Sequence, residues 1–145
     1  MDHHTVTSPA QSPGNFCSIG EIMTAAVRTL TPDRPIADTV AIFNEHGYRH
    51  MPVVSDTRLV GVLSDRDALR AMAQGKGTGR RREHHDRGCI TVTTKTAITD
   101  AIELVVFHRI NCLPVADNGA LRGLVTTTDL LQALQLLQER RGPRP

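Results

Sequence analysis

Two short segments carry the side chains with the clearest capacity for chemistry. Each places a hydroxyl residue three positions before an aspartate, as Ser64 precedes Asp67 and Thr126 precedes Asp129. At the start of a helix this spacing puts the carboxylate and the hydroxyl beside backbone N–H groups that lack a helical partner. Such a group can accept hydroxyl donors through the carboxylate and hold an anion through the hydroxyl and the N–H groups. The pattern therefore indicates reversible binding.

The same spacing also has a purely structural explanation. Ser64 with Asp67, and Thr126 with Asp129, satisfy the Ser/Thr-x-x-Asp/Glu capping box, in which the side chains satisfy the free N–H groups of the first helical turn. Ser64 and Thr126 are the predicted N-caps. The two roles are compatible, because a cap can hold the aspartate in place until a ligand arrives.

The elements that must position these residues occur twice. Sliding the sequence against itself by 62 residues aligns 29–71 with 91–133 without a gap, and twelve of these 43 positions are identical. Apolar residues at i, i+4 and i+7 predict one amphipathic helix in each copy, with Ile36, Val40 and Phe43 matching Ile98, Ile102 and Val105. The repeat must therefore be explained before any other feature of the fold.

Each predicted helix is followed by a hairpin and a second helix. The strands are Met51 to Val54 with Leu59 to Leu63, and Leu113 to Ala116 with Leu121 to Val125. The closing helices are predicted from Asp65 to about Ala73 and from Thr127 to about Glu139, and short strands at 28–31 and 90–93 precede the units. The unit order is β-α-β-β-α.

The predicted fold class is α/β, in the α+β sense, with two repeats packed face to face about a pseudo-twofold axis. One unit of about fifty residues leaves an apolar sheet face that its own two helices cannot cover. Pairing the units covers that face and creates two equivalent clefts. The predicted segments are a disordered tail (1–15), repeat 1 (16–74), a basic Gly/Arg-rich linker (75–88), repeat 2 (89–139) and a second disordered tail (140–145).

Composition excludes several classes of protein. The chain has 145 residues, 39% hydrophobic and 22% charged, as one soluble globular domain does. Without Trp and with one Tyr and three Phe it lacks the stacking aromatics of single-strand nucleic-acid binders. Neither a signal peptide nor a membrane-spanning run is recognised, and Cys17, Cys89 and Cys112 form no Cys-x-x-Cys pair, so a cytoplasmic location is expected.

Three further features of the sequence bear on function. The linker from Lys76 to Gly88 holds five basic and two acidic residues, which fits either a strap for an anionic partner or a solvated connector. The adjacent pairs His3-His4 and His84-His85 point their side chains apart, so no metal site is expected. No nucleophile-base or paired-carboxylate arrangement occurs at a motif, so no enzymatic activity is expected.

The repeat resembles the tandem cystathionine-β-synthase-type (CBS) domain pair, also called the Bateman module. The resemblance spans about Ile19 to Gln138 and is closest to stand-alone bacterial CBS-pair proteins. It rests on the Pro-Val strands and on the family's Gly-h-h-Ser/Thr-x-x-Asp pattern, where h is apolar, present as Gly61 to Asp67 and as Gly123 to Asp129.

The resemblance implies a regulatory sensor that binds adenosine-containing ligands such as AMP, ADP, ATP or S-adenosylmethionine and uses no catalytic cofactor. It also implies a homodimer formed through the helices, with no membrane partner. In the family each site is shared between copies, the Ser/Thr-x-x-Asp of one holding ribose and phosphate. That rule predicts a first site of Val27, Tyr48, Arg49, His50, Thr126 and Asp129, and a second site of Ser64, Asp67, Cys89, Ile110, Asn111 and Cys112.

Several of these residues admit two interpretations. Arg66 is placed to reach a phosphate or to pair with Asp65 on a solvated helix face, and His50 either titrates near neutral pH or is a polar lining residue. Cys89 and Cys112 are small packing residues or oxidation-sensitive thiols. Two other functions stay open for the whole chain: a ligand-free protein interaction module, and nucleic-acid binding through Arg80, Arg81 and Arg82.

Overall fold

A computed structural model describes residues 18–76 and 89–140. The predicted tail at 1–15, most of the linker at 75–88 and the C-terminal residues 141–145 lie outside the described residues. The described chain divides into two compact units. The repeat-1 unit comprises 26–76, 89–90 and 118–121, and the repeat-2 unit comprises 18–25, 91–117 and 122–140.

The repeat-1 unit contains two helices and a hairpin in the predicted order: α1 (Ile36–His46), β1 (His50–Ser55), β2 (Arg58–Ser64) and α2 (Asp65–Ala71). Helix α1 buries the residues that its periodicity marked as apolar, namely Ile36, Val40 and Phe43. Gly47 ends it in the left-handed conformation (φ 71°) and donates its N–H to the carbonyl of Phe43 at 2.8 Å.

Strands β1 and β2 pair antiparallel, and their inward residues complete the core of this unit. Met51 lies opposite Leu63, and a bulge falls between Val53 and Val54. The core combines the hairpin with both helices and consists of Leu30, Ile36, Val40, Ile42, Phe43, Met51, Val53, Leu63, Ala68 and Ala71. This packing sets the end of β2, and therefore Ser64 and the start of α2, beside the beginning of β1.

The repeat-2 unit contains α3 (Ile98–His108), β3 (Cys112–Asp117), most of β4 (Ala120–Thr126) and α4 (Thr127–Arg140). The turn between β3 and β4 has both of its central residues, Asn118 (φ 54°) and Gly119 (φ 86°), in the left-handed region. That conformation matches the twist of a two-residue hairpin and favours the Asn-Gly sequence. Residues 118–121, at the turn and the start of β4, belong to the repeat-1 unit, and Ala120 pairs there with Arg58.

The short strands predicted before each unit are wrong in extent. At 28–31 only Leu30 forms a bridge, parallel to Val53, and at 90–93 only Val92 does so, parallel to Val115. A turn begins directly after each bridge, with the N–H of Arg34 donating to Thr31 and that of Thr96 donating to Thr93. These turns withdraw the next backbone groups from the ladder, so neither segment continues as a strand.

The closing helices differ slightly from their predicted ends. Helix α2 stops at Ala71, two residues early, and a π turn at Met72–Lys76 follows it. Gly75 adopts φ 84° within that turn, a conformation that an α-helix does not contain. Helix α4 continues to Arg140, one residue beyond its predicted end.

Residues 18–25 fall within the predicted repeat 1 (16–74), but in the structure they lie in the repeat-2 unit. The N–H of Gly20 donates to the carbonyl of Thr94 at 2.9 Å, and Thr24 exchanges backbone hydrogen bonds of 2.8 and 3.0 Å with Leu124. Gly123 lies against this segment so closely that a Cβ atom would overlap the carbonyl oxygen of Thr24. The beginning of the predicted first repeat is therefore part of the second repeat's fold.

Candidate ligand-binding site

The start of α2 brings together the first Ser-Asp pair. The hydroxyl of Ser64 accepts a hydrogen bond from the N–H of Asp67 at 3.0 Å, which confirms Ser64 as the N-cap. The carboxylate of Asp67 contacts the guanidinium of Arg70 at 3.3 Å on the exposed face of the helix. The carboxylate of Asp65 accepts the backbone N–H of Arg66 at 2.7 Å, which is a different contact from the predicted pairing with the Arg66 side chain.

The start of α4 uses its aspartate differently. The N–H of Asp129 donates to the hydroxyl of Thr126 at 3.2 Å, and the N–H of Thr126 donates back to the Asp129 carboxylate at 2.9 Å. These two bonds form the complete capping box that the sequence allowed. Asp129 is also half-buried, whereas Asp67 is exposed. The two equivalent aspartates therefore have different partners.

In both units the residue three positions before the proline of the Pro-Val strand contacts the start of the following helix. The carbonyl of Arg49 accepts the N–H of Asp65 at 2.9 Å, and the carbonyl of Asn111 accepts the N–H of Thr127 at 3.0 Å. His50 lies opposite Ser64 in the β1–β2 register. Each unit thus places its pre-strand segment directly beside its own Ser/Thr-x-x-Asp segment.

This arrangement groups the predicted site residues by unit. Tyr48, Arg49 and His50 of the first predicted site lie with Ser64 and Asp67 of the second in the repeat-1 unit, which also contains Val27 and Cys89. Ile110, Asn111 and Cys112 lie with Thr126 and Asp129 in the repeat-2 unit. The predicted pairing of residues from different units stays a prediction.

A cavity of about 490 Å³ lies between α1 and the start of α2 in the repeat-1 unit. Its apolar floor and polar rim are formed by Val40, Phe43, Asn44, Gly47, Tyr48, Arg49, Asp65, Arg66 and Leu69. The exposed ring of Tyr48 stacks on that of His46, with centroids 5.3 Å apart. Sequence reasoning missed Asn44 and Leu69, although Asn44 follows Val40 by four residues and so shares its helix face.

His50 has a shifted pKa. Burial lowers the pKa of His50 below its ordinary value of 6.5, because desolvation disfavours the imidazolium. Asp65 and Asp67 oppose that shift, and Arg49 reinforces it. The surroundings of His50 therefore favour the neutral imidazole.

Neither described cysteine is fully exposed. Cys112 is buried at the start of β3, and Cys89 is half-buried. Among residues 18–76 and 89–140, no three His, Cys, Asp or Glu side chains come close enough to hold a metal ion. Both adjacent histidine pairs lie outside this part of the chain. No helix in the described ranges is long and apolar enough to span a bilayer.

The sequence matches a known family model and a curated bacterial relative. A family model described as "CBS domain" matches it twice, at residues 19–74 and 82–136. The CBS domain-containing protein YhcV of Bacillus subtilis is 33% identical over 115 residues, which cover 78% of this chain and 82% of that protein.

Solved structures with the same fold include two with bound ligands. CBSX2 in complex with AMP matches with a TM-score of 0.74 and 23% identity, covering 83% of this chain and 98% of CBSX2. The CBS domain pair of protein MJ0100, in complex with 5′-methylthioadenosine and S-adenosyl-L-methionine, matches with a TM-score of 0.73 and 24% identity, covering 81% of this chain and 95% of that one. Both structural similarities show that this chain has the same fold as these proteins.

Proposed function

Because the chain belongs to the CBS domain family, with two copies in tandem, we propose that it is a regulatory protein that binds an adenosine-containing ligand. AMP, ADP, ATP and S-adenosylmethionine are the candidate ligands. Support at the level of the family comes from the two neighbours whose structures contain AMP, or 5′-methylthioadenosine and S-adenosyl-L-methionine. The proposed role is sensing, with no catalysis and no catalytic cofactor.

The observation that carries the proposal is the hydrogen bond between each pre-strand segment and the following helix start. Because the carbonyl of Arg49 holds the N–H of Asp65 at 2.9 Å, the side chains of Tyr48 to His50 border the Ser64–Asp67 turn. A carboxylate for ribose hydroxyls, an aromatic ring for a base and guanidinium groups for phosphate thus occupy one region. These are the chemical groups that recognition of a nucleotide requires.

Direct titration tests the proposal. Isothermal titration calorimetry of the purified protein with AMP, ADP, ATP, S-adenosylmethionine and NAD should show binding of at least one of the first four. An open cleft with few charged contacts predicts micromolar affinity, about −8 kcal/mol, or weaker. The absence of both binding heat and a thermal shift with every one of these compounds at millimolar concentration would overturn the proposal.

The absorbance ratio of freshly purified protein at 260 and 280 nm gives an independent check. The chain has no Trp and one Tyr, so its own absorbance at 280 nm is small. A co-purified purine would therefore dominate the spectrum, and it should disappear after denaturation and dialysis.

Self-association through helices is the second part of the proposal. Helix α3 exposes Val106 (70%) and Phe107 (81%), where the equivalent positions of α1 hold the polar residues Asn44 and Glu45. Exposed apolar patches of this kind mark interaction surfaces. We expect a homodimer by light scattering, and Phe107→Glu should convert it to a monomer while leaving nucleotide binding intact.

The competing interaction module makes the opposite prediction for ligands. Under that alternative the chain would bind a protein partner while its clefts stay empty of nucleotide. Neutralising Arg80, Arg81 and Arg82 would then abolish binding of that partner. Nucleic-acid binding through the same arginines would instead weaken steeply with salt. A cytoplasmic location is part of our proposal and rests on the wide spacing of the three cysteines.

A further inference from the structure

The turn between β3 and β4 contains an asparagine followed by a glycine, Asn118-Gly119, and the chain has this dipeptide once. The side chain of Asn118 is exposed. In the described part of the chain, the backbone N–H of Gly119 donates to no acceptor. Glycine also has no side chain that would hinder an approach to its nitrogen. The turn therefore supplies a carboxamide and an unhindered backbone nitrogen, the two groups that deamidation requires.

Deamidation at this dipeptide is an intramolecular substitution. Hydroxide removes the proton of the Gly119 nitrogen, which attacks Cγ of Asn118; a C–N bond forms, and Nδ2 takes a proton from water and leaves as ammonia. Water then opens the five-membered succinimide at one of its two carbonyl carbons. Opening at Cγ gives aspartate, and opening at the main-chain carbonyl carbon gives isoaspartate, in which the chain runs through Cγ. One water is consumed and one ammonia is released, so the step needs no oxidant or reductant.

The folded turn keeps the two groups apart. Asn118 has φ 54°, and in the left-handed region ψ is close to +47°. At that ψ the nitrogen of Gly119 lies roughly trans to Cβ of Asn118, whereas closing the succinimide ring requires these two atoms to be nearly eclipsed. The reaction therefore requires the backbone to rotate out of its native conformation.

Contacts with β2 oppose that rotation. Arg58 donates through Nη1 to the carbonyl oxygen of Asn118 at 3.3 Å, and the N–H of Leu59 donates to the carbonyl of Gly119 at 2.9 Å. The guanidinium of Arg58 lies so close to Gly119 that a Cβ atom there would overlap it. All four residues belong to the repeat-1 unit. Opening of the turn must therefore break both hydrogen bonds.

We propose that Asn118 is a site of spontaneous deamidation, and that local opening of the turn away from Arg58 and Leu59 sets its rate. Loop tips open locally far more often than a whole domain unfolds, so the reaction does not require global unfolding. Because the attacking nitrogen must be deprotonated, the rate rises with pH. The inference is independent of the proposed adenosine ligand.

The two products should affect the turn differently. Asp56, which corresponds to Asn118 in repeat 1, has φ 58°, so an aspartate fits this conformation. Isoaspartate instead adds a methylene group to the main chain. The carbonyls of residues 118 and 119 then cannot both meet their donors on β2 in the native register. Formation of isoaspartate therefore removes the contact between this turn and β2 irreversibly.

Mass spectrometry of aged protein tests the proposal. The purified full chain is incubated in mildly alkaline buffer and digested with trypsin, which releases residues 110–122 as one peptide. This peptide also contains Asn111, which is followed by Cys112 and serves as an internal control. We expect aspartate and isoaspartate at Asn118 and an intact amide at Asn111. The synthetic peptide of residues 110–122 should convert about tenfold or more faster than the folded chain.

Three variants test the role of the turn. Arg58→Ala should raise the rate at Asn118 about threefold, because one of the two hydrogen bonds that oppose opening is lost. Arg28→Ala removes an exposed arginine of the same unit outside this turn and should leave the rate unchanged. Asn118→Asp copies the aspartate product and should keep the melting temperature of fresh protein. Aged protein that contains isoaspartate should melt at a lower temperature than this variant.

Each result decides one part of the inference. Absence of conversion at Asn118 in the folded chain, over an incubation many times longer than the half-life of the peptide, overturns the modification site. Equal rates in the folded chain and the peptide, or in Arg58→Ala and the unmodified chain, overturn the control of the rate by turn opening. Equal melting temperatures of isoaspartate-containing protein and Asn118→Asp overturn the loss of the contact with β2.

Discussion

The N–H of Asp65 donates to the carbonyl oxygen of Arg49 at 2.9 Å. The first N–H groups of a helix have no partner within the helix, and here one of them is satisfied by the residue just before β1. The bond joins a strand entrance to a helix start, and its counterpart joins Asn111 to Thr127 at 3.0 Å. In each unit the bond therefore fixes the start of the closing helix beside the entrance of the first hairpin strand.

The two aspartates should differ in their contribution to stability. Asp129→Ala removes one of the reciprocal bonds of a capping box and should lower the free energy of unfolding by about 1 kcal/mol. Asp67→Ala removes an exposed ion pair with Arg70, worth about 0.3–0.5 kcal/mol. Urea unfolding of each variant measures the two changes in the free energy of unfolding.

Ligand binding provides the second readout for the same pair of variants. If an aspartate binds the ribose, its substitution lowers the affinity of the protein for the ligand while the protein stays folded. If Asp129→Ala instead unfolds the protein at room temperature, its role is that of a structural cap, and the binding role of that residue is wrong.

Acid should destabilise the protein partly through His50. Burial lowers the pKa of His50 in the folded state, so below about pH 6.5 the unfolded state binds more protons at this residue than the folded state does. The free energy of unfolding should therefore fall as the pH decreases from 7 to 5. His50→Gln should show a shallower fall, and curves of equal slope would contradict the assignment.

Arg109 should be replaceable by glycine with a gain in stability. It ends α3 at φ 56°, the left-handed conformation that Gly47 adopts at the end of α1. A side chain in this conformation costs about 1 kcal/mol relative to glycine, so Arg109→Gly should raise the melting temperature. Gln132→Gly, on the exposed face of α4, is the control and should lower it.

Gly123→Ala should destabilise the repeat-2 unit by about 2 kcal/mol, because the new methyl group would overlap the carbonyl oxygen of Thr24. Gly47→Ala is the matched control, since its methyl group meets nothing within 4 Å and only the left-handed φ opposes it. Calorimetric unfolding should show the larger loss for Gly123→Ala. Equal losses of stability in the two variants would mean that residues 18–25 shift to accommodate the new methyl group at no energetic cost.

Local features of the fold were predictable because they depend on neighbours in the sequence. The spacing of Ile36, Val40 and Phe43 located α1, and the hydroxyls of Ser64 and Thr126 located the starts of α2 and α4. The strands before each repeat were overestimated because β-branched residues signal extension, whereas a turn ended each segment after one bridge.

By itself, then, the sequence determined the duplication, the order of helices and hairpins and the capping residues, since periodicity and side-chain type act over a few positions. Only the tertiary structure decided that Asp67 contacts Arg70 while Asp129 closes a capping box, and that Arg49 and Arg66 border one cavity. It also decided that residues 18–25 fold with the second repeat. These outcomes depend on which backbone groups and side chains meet across long stretches of chain, and such meetings are set by packing in three dimensions.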